Sequence, residues 1–217
     1  GILGHEFVGT VEKCPSDERL IGKRVAGEIN AGCGKCEWCA AGMERHCPNR
    51  TVLGILGREG AFAQYLALHA SNLHVVPDKV HDMSAVFAEP LAACFEILDQ
   101  IKIKTDTRVA VIGDGKLGAL AGAVLATKTN LLAVVGKHDD KLARIRDAFG
   151  LKTLTAGDLV PASYDVVVEC SGNASGLELA STLVRPRGTI VLKSTFHGRP
   201  CIDTSIWVIN EISVVGS

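Results

Sequence analysis

Residues 108–118 constrain the fold of this chain more than any other stretch. They read RVAVIGDGKLG, in which an apolar run leads into three glycines and an apolar, helix-like segment follows. A strand that enters a helix through G-x-G-x-x-G is the context in which this pattern indicates dinucleotide binding. The first glycine permits a tight turn, the second lets the backbone approach a pyrophosphate, and the third allows close packing of helix on strand. An ordinary glycine-rich turn of another α/β protein is the alternative. We predict a dinucleotide site at Gly113, Gly115, Lys116, Leu117 and Gly118.

After residue 108, β-prone runs alternate with helix-like segments. The six candidate strands are RVAVI, LLAVV, KTLT, DVVVEC, GTIVLKS and ISVVG. This alternation predicts a parallel sheet with helices on both faces, and six strands are the complement of a dinucleotide-binding fold. We therefore predict an α/β fold class: a Rossmann doubly wound sheet in the C-terminal half. Residues 1–80 are predicted to be β-rich, with strands in IGKRVAGEI and AFAQYLALHASNLHVVP.

Four of the eight cysteines lie close together, at metal-type spacing. Three thiols at two-residue intervals curl around one ion and a fourth completes a tetrahedron, as in a closed structural zinc site. The alternatives are an iron–sulfur cluster, whose ferredoxin-type run spaces its last cysteine by three residues, and disulfides, which close neighbours form with difficulty. His46 is a substitute ligand only if one thiol is not used. The predicted zinc ligands are Cys33, Cys36, Cys39 and Cys47.

Two further features carry metal-type donors. His5 and Glu6 are adjacent, and imidazole nitrogen and carboxylate oxygen both bind zinc. Glu89 lies in the apolar segment AVFAEPLAA, where we expect Pro90 to open a second helix and to leave the carboxylate near the helix N-terminus. It is then a metal ligand or a partner of metal-bound water. The alternatives are a surface pair for the first feature and an acid stabilised by the helix dipole for the second.

The end of the second strand bears on the choice of cofactor. An NAD site normally places an acid about 20 residues beyond the glycines, where it binds the ribose 2′-hydroxyl. Here Gly136 is followed by Lys137 and His138, and a missing carboxylate with nearby cations suits the 2′-phosphate of NADP. Asp139 and Asp140 are interpreted as the cap and first turn of the next helix. We therefore predict NADP rather than NAD, bound in part by these three residues; solvated loop residues are the alternative.

Composition excludes several classes of function. The net charge is −1 over 217 residues, which indicates neither a nucleic-acid partner nor an anionic membrane surface. No apolar run reaches the roughly 18 residues of a membrane span. The first residues lack the pattern of a signal peptide. Clustered cysteines at metal-type spacing favour a reducing compartment, so we expect a cytoplasmic protein.

Taken together, these residues resemble the zinc-dependent medium-chain alcohol and polyol dehydrogenase family. The matching pieces are GHEFVGTV, CGKCEWCAAGMERHC, AEPLA, VIGDGKLG, DVVVECSG and PRGTIVLKS. The resemblance implies a GroES-like catalytic domain over residues 1–90, a Rossmann NAD(P)-binding domain over residues 91–217, and substrate in the cleft between them. It implies hydride transfer between NAD(P) and a secondary alcohol, polyol or amino alcohol, in a homo-oligomer that is a dimer or a tetramer.

The resemblance also assigns roles to residues. His5 resembles a catalytic zinc ligand and Glu6 its neighbouring ligand or exchange partner. Glu89 stands where classical alcohol dehydrogenases have a cysteine, and glutamate there is similar to the polyol and threonine dehydrogenase branches. The four clustered cysteines match the family's structural zinc. Ser171 and Gly172 resemble the segment that passes near the nicotinamide ribose.

Two features of the family have no counterpart in this sequence. They are the zinc-ligand cysteine upstream of the GHE motif and the hydroxyl residue beside it that starts the proton relay. We therefore interpret the chain as an internal portion of a longer enzyme, inactive as a free polypeptide. The alternatives are a non-catalytic NADP(H)-binding protein that retains the structural zinc, and a quinone reductase-like relative without metal, which the cysteine lobe disfavours.

Overall fold

The chain divides into two units, Gly1–Pro90 and Leu91–Ser217. A computed structural model describes residues 1–195 and 202–217. Each unit has its own buried clusters of apolar side chains, and each is described by itself below.

Short strands in two small sheets form the first unit. The strands are β1 (Gly9–Thr10), β2 (Arg24–Gly27), β3 (Asn30–Ala31), β4 (Thr51–Leu53), β5 (Gly57–Arg58) and β6 (Leu73–Val75). The helices are α1 (Glu37–Ala40), α2 (Asp82–Ala85) and the start of α3 (Ala88–Gln100), with 3₁₀ turns at Glu18–Leu20, Glu44–His46 and Ala70–Asn72. One sheet has the order β1-β2-β6 and is antiparallel; the other has the order β3-β4-β5 and is mixed.

The strand predicted from residue 61 onward is largely wrong. Among the described residues, only Leu73–Val75 of this stretch joins a sheet. Leu66 and Leu68 pack against the buried Leu53 cluster, whereas Phe62 and Tyr65 are exposed. The apolar residues of this segment alternate because every second one packs on the core, which gives the sequence the pattern of a strand. In the described chain, however, the segment before residue 73 pairs with no other strand.

A six-stranded parallel sheet forms the second unit. Its strands are β7 (Val109–Ile112), β8 (Leu132–Val135), β9 (Lys152–Leu154), β10 (Tyr164–Glu169), β11 (Val184–Leu192) and β12 (Ser213–Gly216). The helices are α4 (Lys116–Leu125), α5 (Asp139–Phe149), α6 (Ala174–Leu183) and α7 (Ser205–Ile209), with a 3₁₀ turn at Ala156–Asp158. The strand order is β12-β11-β10-β7-β8-β9, and every pair is parallel. The predicted Rossmann doubly wound fold is confirmed.

Side-chain alternation explains why helices cover both faces of this sheet. Successive strand residues point to opposite faces. In β7, Val109 and Val111 pack with apolar side chains of α3 and α4, whereas Ala110 and Ile112 pack with α6. The strand is therefore apolar on both faces, as a central parallel strand must be.

The topology also fixes where a ligand can bind. Strand order reverses between β7 and β10, because the chain goes from β7 outward through β8 and β9 and then returns to the other side of β7. In open α/β sheets, ligands bind beyond the carboxyl ends of the strands at such a switch point. The glycine motif follows β7 directly and therefore lies at this place.

Candidate functional site: two metal-type donor groups and a cavity at the glycine motif

The four clustered cysteines converge on one point in the first unit. Their sulfur atoms all lie within 4.8 Å of one another. The Cys36 sulfur is 3.5 Å from that of Cys39 and 3.6 Å from that of Cys47. A tetrahedral ion with zinc–sulfur bonds of about 2.3 Å would hold its sulfur atoms about 3.8 Å apart. The spacing therefore fits four thiolates on a single ion.

Local structure brings these sulfurs together. Cys36 caps α1, Cys39 lies inside that helix, and Cys47 follows the 3₁₀ turn Glu44–His46. The Cys33 backbone N–H donates to the Cys47 sulfur at 3.4 Å, and Cys47 is fully buried. His46 is exposed and is not a member of the donor group.

The chemistry of the group favours one metal ion. The Lys35 backbone N–H lowers the pKa of Cys33 to about 6, against the effect of burial. Although the Cys39 backbone N–H acts in the lowering direction, burial and the other three thiols raise the pKa of Cys36 to about 11. Four thiolates therefore coexist at neutral pH only beside a cation. Every cysteine in residues 1–195 is a free thiol, and a multi-iron cluster would hold its ligands on different iron atoms, farther apart.

A second donor group joins the two ends of the same unit. One ligand atom each from His5, Glu6 and Glu89 lies within 4.8 Å of the other two. His5 and Glu89 are half-buried and Glu6 is exposed. One nitrogen and two carboxylate oxygens are typical zinc ligands, and three protein ligands leave a coordination position open. The donor set therefore fits a catalytic type of metal site.

Backbone hydrogen bonds fix the segment that carries His5. The amides of residues 60, 61 and 62 donate to the carbonyl oxygens of residues 2, 4 and 3 at 2.8, 2.8 and 2.9 Å. A Cβ at Gly60 would lie 2.4 Å from the Gly4 and Leu3 carbonyl oxygens, and one at Gly54 would lie 2.2 Å from the Gly4 oxygen. Three segments thus approach too closely for any side chain, and the backbone before the histidine has little freedom.

Glu89 reaches this group from the first turn of α3. The helix begins at Ala88, so Pro90 is its third residue and not its first. The prediction that Pro90 opens the helix is wrong by two residues; a proline is tolerated in a first turn because its missing N–H would have no helical partner there. The expectation of a carboxylate near a helix N-terminus is confirmed, and the dipole favours its charge.

A cavity of about 290 Å³ lies at the carboxyl ends of β7, β8 and β10. Six of the predicted cofactor residues line it: Gly113, Gly115, Gly136, Lys137, His138 and Ser171. Four do not: Lys116, Leu117, Gly118 and Gly172.

The three glycines of the motif have different surroundings. Gly113 has a φ of +126°, and a Cβ there would lie 2.8 Å from the Cys170 carbonyl oxygen. A Cβ at Gly118 would lie 1.9 Å from the Gly113 carbonyl oxygen, so this glycine permits the turn to close on α4. A Cβ at Gly115 would meet nothing within 4 Å. Only this glycine faces open space, as expected where a pyrophosphate approaches the α4 N-terminus.

The predicted residues outside the cavity have other contacts. Lys116 lines a neighbouring groove with Lys141 and Arg144. Leu117 packs against the main core of the unit. The Gly172 backbone N–H donates to the Ser194 hydroxyl at 3.0 Å. Their assignment to cofactor binding stays a prediction.

Asp114, between the first two glycines, was missed by the sequence analysis. Its Oδ2 accepts the backbone N–H groups of Lys137 and His138, each at 2.8 Å, and lies 2.9 Å from the His138 ring Nδ1. Burial raises the pKa of Asp114, but these donors outweigh it and hold the pKa below its ordinary value. The strand end therefore has a carboxylate beside it although Gly136 supplies none. An acidic residue inside the glycine motif was the available signal.

Glu169, the last residue of β10, is a second missed residue. It is 1% exposed, and one carboxylate oxygen accepts the Ser171 backbone N–H at 2.6 Å and the Ser171 hydroxyl at 2.5 Å. The other oxygen accepts the Ser194 hydroxyl. This buried carboxylate holds the loop that contributes Ser171 to the cavity.

The helix after the second strand agrees with expectation in its first turn but not in its cap. α5 begins at Asp139, with His138 as its N-cap, so the two aspartates occupy the first turn and neither is the cap itself. In the described part of the chain, no helix combines the length and the apolar character needed to cross a membrane.

Comparisons with known proteins agree with this architecture. Residues 1–78 match the alcohol dehydrogenase GroES-like domain family. The chain is 30% identical to a sorbitol dehydrogenase of Halalkalibacterium halodurans, over 99% of this chain and 67% of that protein. It is 28% identical to an L-threonine 3-dehydrogenase of Anaeromyxobacter sp. strain K, over 99% of this chain and 66% of that protein.

A solved structure gives the same result. A zinc-binding dehydrogenase from Sinorhizobium meliloti 1021 bound to NADP superposes with a TM-score of 0.89 at 27% identity, covering 99% of this chain and 68% of that one. The chain spans about two thirds of the length of the curated relatives that it matches. The GroES-like part of the predicted fold is confirmed.

Proposed function

The chain belongs to the zinc-dependent medium-chain alcohol and polyol dehydrogenase family, and we propose that it serves in hydride transfer between NAD(P) and a secondary alcohol, polyol or amino alcohol. The observation that carries the proposal is the three-donor group of His5, Glu6 and Glu89, in a chain that also has a cavity at its glycine motif. In the proposed division, residues 1–90 are the catalytic domain and residues 91–217 bind the cofactor.

We propose different roles for the two donor groups. His5 and Glu6 hold a catalytic zinc ion together with Glu89, which binds the ion or its water, and the fixed backbone before His5 orients the imidazole. When bound, such an ion supplies Lewis acidity to the substrate oxygen. The four cysteines hold a structural zinc ion, because a closed thiolate site leaves no position for substrate.

The cavity of the second unit is proposed to bind the nicotinamide dinucleotide. The amides at the α4 N-terminus are available to the pyrophosphate, and Gly115 leaves room for its approach. We propose NADP in preference to NAD, since Lys137, His138 and Lys141 line the cavity beside the second strand. Similar structures hold either cofactor, NADP in the Sinorhizobium relative and NAD in an acetophenone reductase of Geotrichum candidum, so the choice rests on these cations.

We also propose a substrate class, an oligomeric state and a location for the protein. A small alcohol or carbonyl compound is the expected substrate, and a homodimer or homotetramer is the expected assembly. A cytoplasmic location is consistent with free thiols at a zinc site, which persist in a reducing compartment.

Zinc content and hydride transfer together test this function. In the intact enzyme, we expect two zinc ions per subunit and reduction of NADP⁺ by at least one member of a panel of secondary alcohols, polyols and amino alcohols. His5→Ala should remove one zinc ion and lower turnover by more than about 100-fold, because the ion loses a first ligand. Metal analysis and the absorbance of the reduced nicotinamide measure the two effects.

His46→Ala is the matched control, since His46 is exposed and outside both donor groups. It should keep both zinc ions and full turnover. One zinc ion per subunit of the intact protein, with nucleotide binding but no hydride transfer, would instead identify a non-catalytic NADP(H)-binding protein. Unchanged turnover in His5→Ala would reject the proposed catalytic metal.

A further inference from the structure

Asp114 lies where a dinucleotide-binding fold normally has the acidic side chain that binds the ribose of the cofactor. In such folds an acid at the end of the second strand accepts the ribose 2′-hydroxyl. Here that strand ends at Gly136, and a Cβ on Gly136 would lie 2.5 Å from the Asp114 Cβ and 2.6 Å from its Oδ2. The side chain of Asp114, which is 10% exposed, therefore fills the position that a strand-end side chain would take.

The two oxygens of this carboxylate have different surroundings. The three hydrogen bonds that tie Asp114 to the turn after β8 all end on Oδ2. Oδ1 faces the Lys141 ammonium at 3.9 Å, which is beyond hydrogen-bond distance. Asp114 also lines the cavity. One oxygen thus anchors the side chain, and the other has acceptor capacity for a ligand.

We infer that Asp114 determines the choice between NAD and NADP, with Oδ1 accepting a ribose hydroxyl of NAD and its charge opposing the 2′-phosphate of NADP. This inference rests on the proposed function, in which a nicotinamide dinucleotide occupies the cavity. The cations favour NADP and Asp114 limits that preference, so the site accepts both cofactors.

The charges around the subsite support this balance. His138 and Lys141 are 55% and 46% exposed and bring cationic capacity to the same point. The donors on Oδ2 keep Asp114 ionised at neutral pH, because they lower its pKa. A fixed negative charge in a largely buried position repels a phosphate dianion more strongly than the same charge in open water would.

Two nucleotide fragments isolate the subsite from the nicotinamide end. Adenosine 5′-monophosphate carries the ribose hydroxyl, and adenosine 2′,5′-bisphosphate carries the 2′-phosphate. We expect Asp114→Asn to bind the bisphosphate about tenfold more tightly and the monophosphate several-fold more weakly, as titration calorimetry on the whole chain would measure. Asparagine keeps an oxygen for the two backbone N–H groups, so the turn should retain its shape.

Two further variants keep the test decisive. Asp140→Asn removes an exposed charge from the first turn of α5 and should change the ratio of the two dissociation constants by less than about twofold. Lys141→Gln should act in the opposite direction to Asp114→Asn and weaken the bisphosphate alone. Its expected effect does not depend on whether the Asp114 variant folds.

The outcomes separate this inference from the proposed function. A wild-type chain that binds both fragments, with an unchanged ratio in Asp114→Asn, overturns the inference and leaves the proposed function intact. Equal weakening of both fragments in that variant also overturns it, since Asp114 would then only hold the turn together. A wild-type chain that binds neither fragment overturns the proposed function, and the inference with it.

Discussion

The two donor groups of the first unit are built in opposite ways. The four cysteines lie within one short segment, and two of them are buried in a small turn-rich lobe. His5 and Glu6 meet Glu89 from the two ends of the unit, and Glu6 is exposed. One group is closed and local; the other is open and assembled by the fold.

The contrast predicts that the cysteine lobe depends on its metal ion to fold, whereas the open group depends on the fold to bind its ion. A lobe of short turns with few apolar contacts needs its ion to stay folded, as small zinc domains do. The open group is instead positioned by backbone hydrogen bonds and close glycine contacts, none of which involves a metal ligand atom. We expect metal loss to unfold the cysteine lobe and to leave the open donor group in place.

The strongest test of the contrast is Cys47→Ser. A serine hydroxyl does not ionise at neutral pH, so the variant should lose one zinc ion and much of a metal-binding free energy of about 10 kcal/mol or more. The cysteine lobe should then unfold at far lower urea concentration, as measured by circular dichroism and metal analysis. Cys14 is buried and lies outside both donor groups, so Cys14→Ser is the control. This variant should keep the zinc of the cysteine group and lose only about 1 kcal/mol of unfolding free energy. A zinc-free but equally stable Cys47→Ser variant would contradict the proposed dependence.

A smaller effect is expected from Gly60→Ala. The added Cβ would meet two carbonyl oxygens of the segment before His5, so we expect a loss of about 1–3 kcal/mol in unfolding free energy and weaker metal binding at the open group. The cysteine group should keep its ion. Gly9→Ala is the control, since its Cβ would meet only the Phe7 ring at 4.0 Å. Metal affinity that matches the wild type would show that the glycine contacts do not position the histidine.

The smallest change in stability is expected from Glu89→Gln. The amide keeps the shape of the side chain but loses the charge, so zinc affinity at the open group should fall by at least about tenfold while the urea midpoint barely moves. Asp99→Asn, an exposed acid of the same helix, should change neither quantity. Calorimetric zinc titration measures the affinity, and a large drop in the midpoint would indicate that Glu89 has a structural role instead.

Local patterns explain which features the sequence could predict. The cysteine spacing, the strand before Gly113 and the alternation of strands with helices involve neighbours in the chain, and the structure has all three. The start of α3 was misplaced by two residues, because proline marks a first turn without specifying its first residue. The segment from residue 61 has the alternation of a strand, but pairing depends on a distant partner.

The missed residues act through contacts that are distant in sequence. Asp114 meets residues 137 and 138, and Glu169 meets Ser194 across a helix and a strand. The acid inside the glycine motif is a local signal for Asp114 itself, but no local pattern identifies the partners of either residue. The metal and cofactor roles of the predicted site residues stay predictions, which the zinc, turnover and nucleotide measurements address.

The close approach of Gly136 to Asp114 also restricts which substitutions this site can accept during evolution. A strand-end acid and a loop acid cannot coexist, because any side chain at residue 136 would collide with Asp114. Descendants that move the acid to the strand must therefore also lose it from the loop. The two positions should therefore be inherited as a pair, and a laboratory transfer of the acid to residue 136 would have to replace both at once.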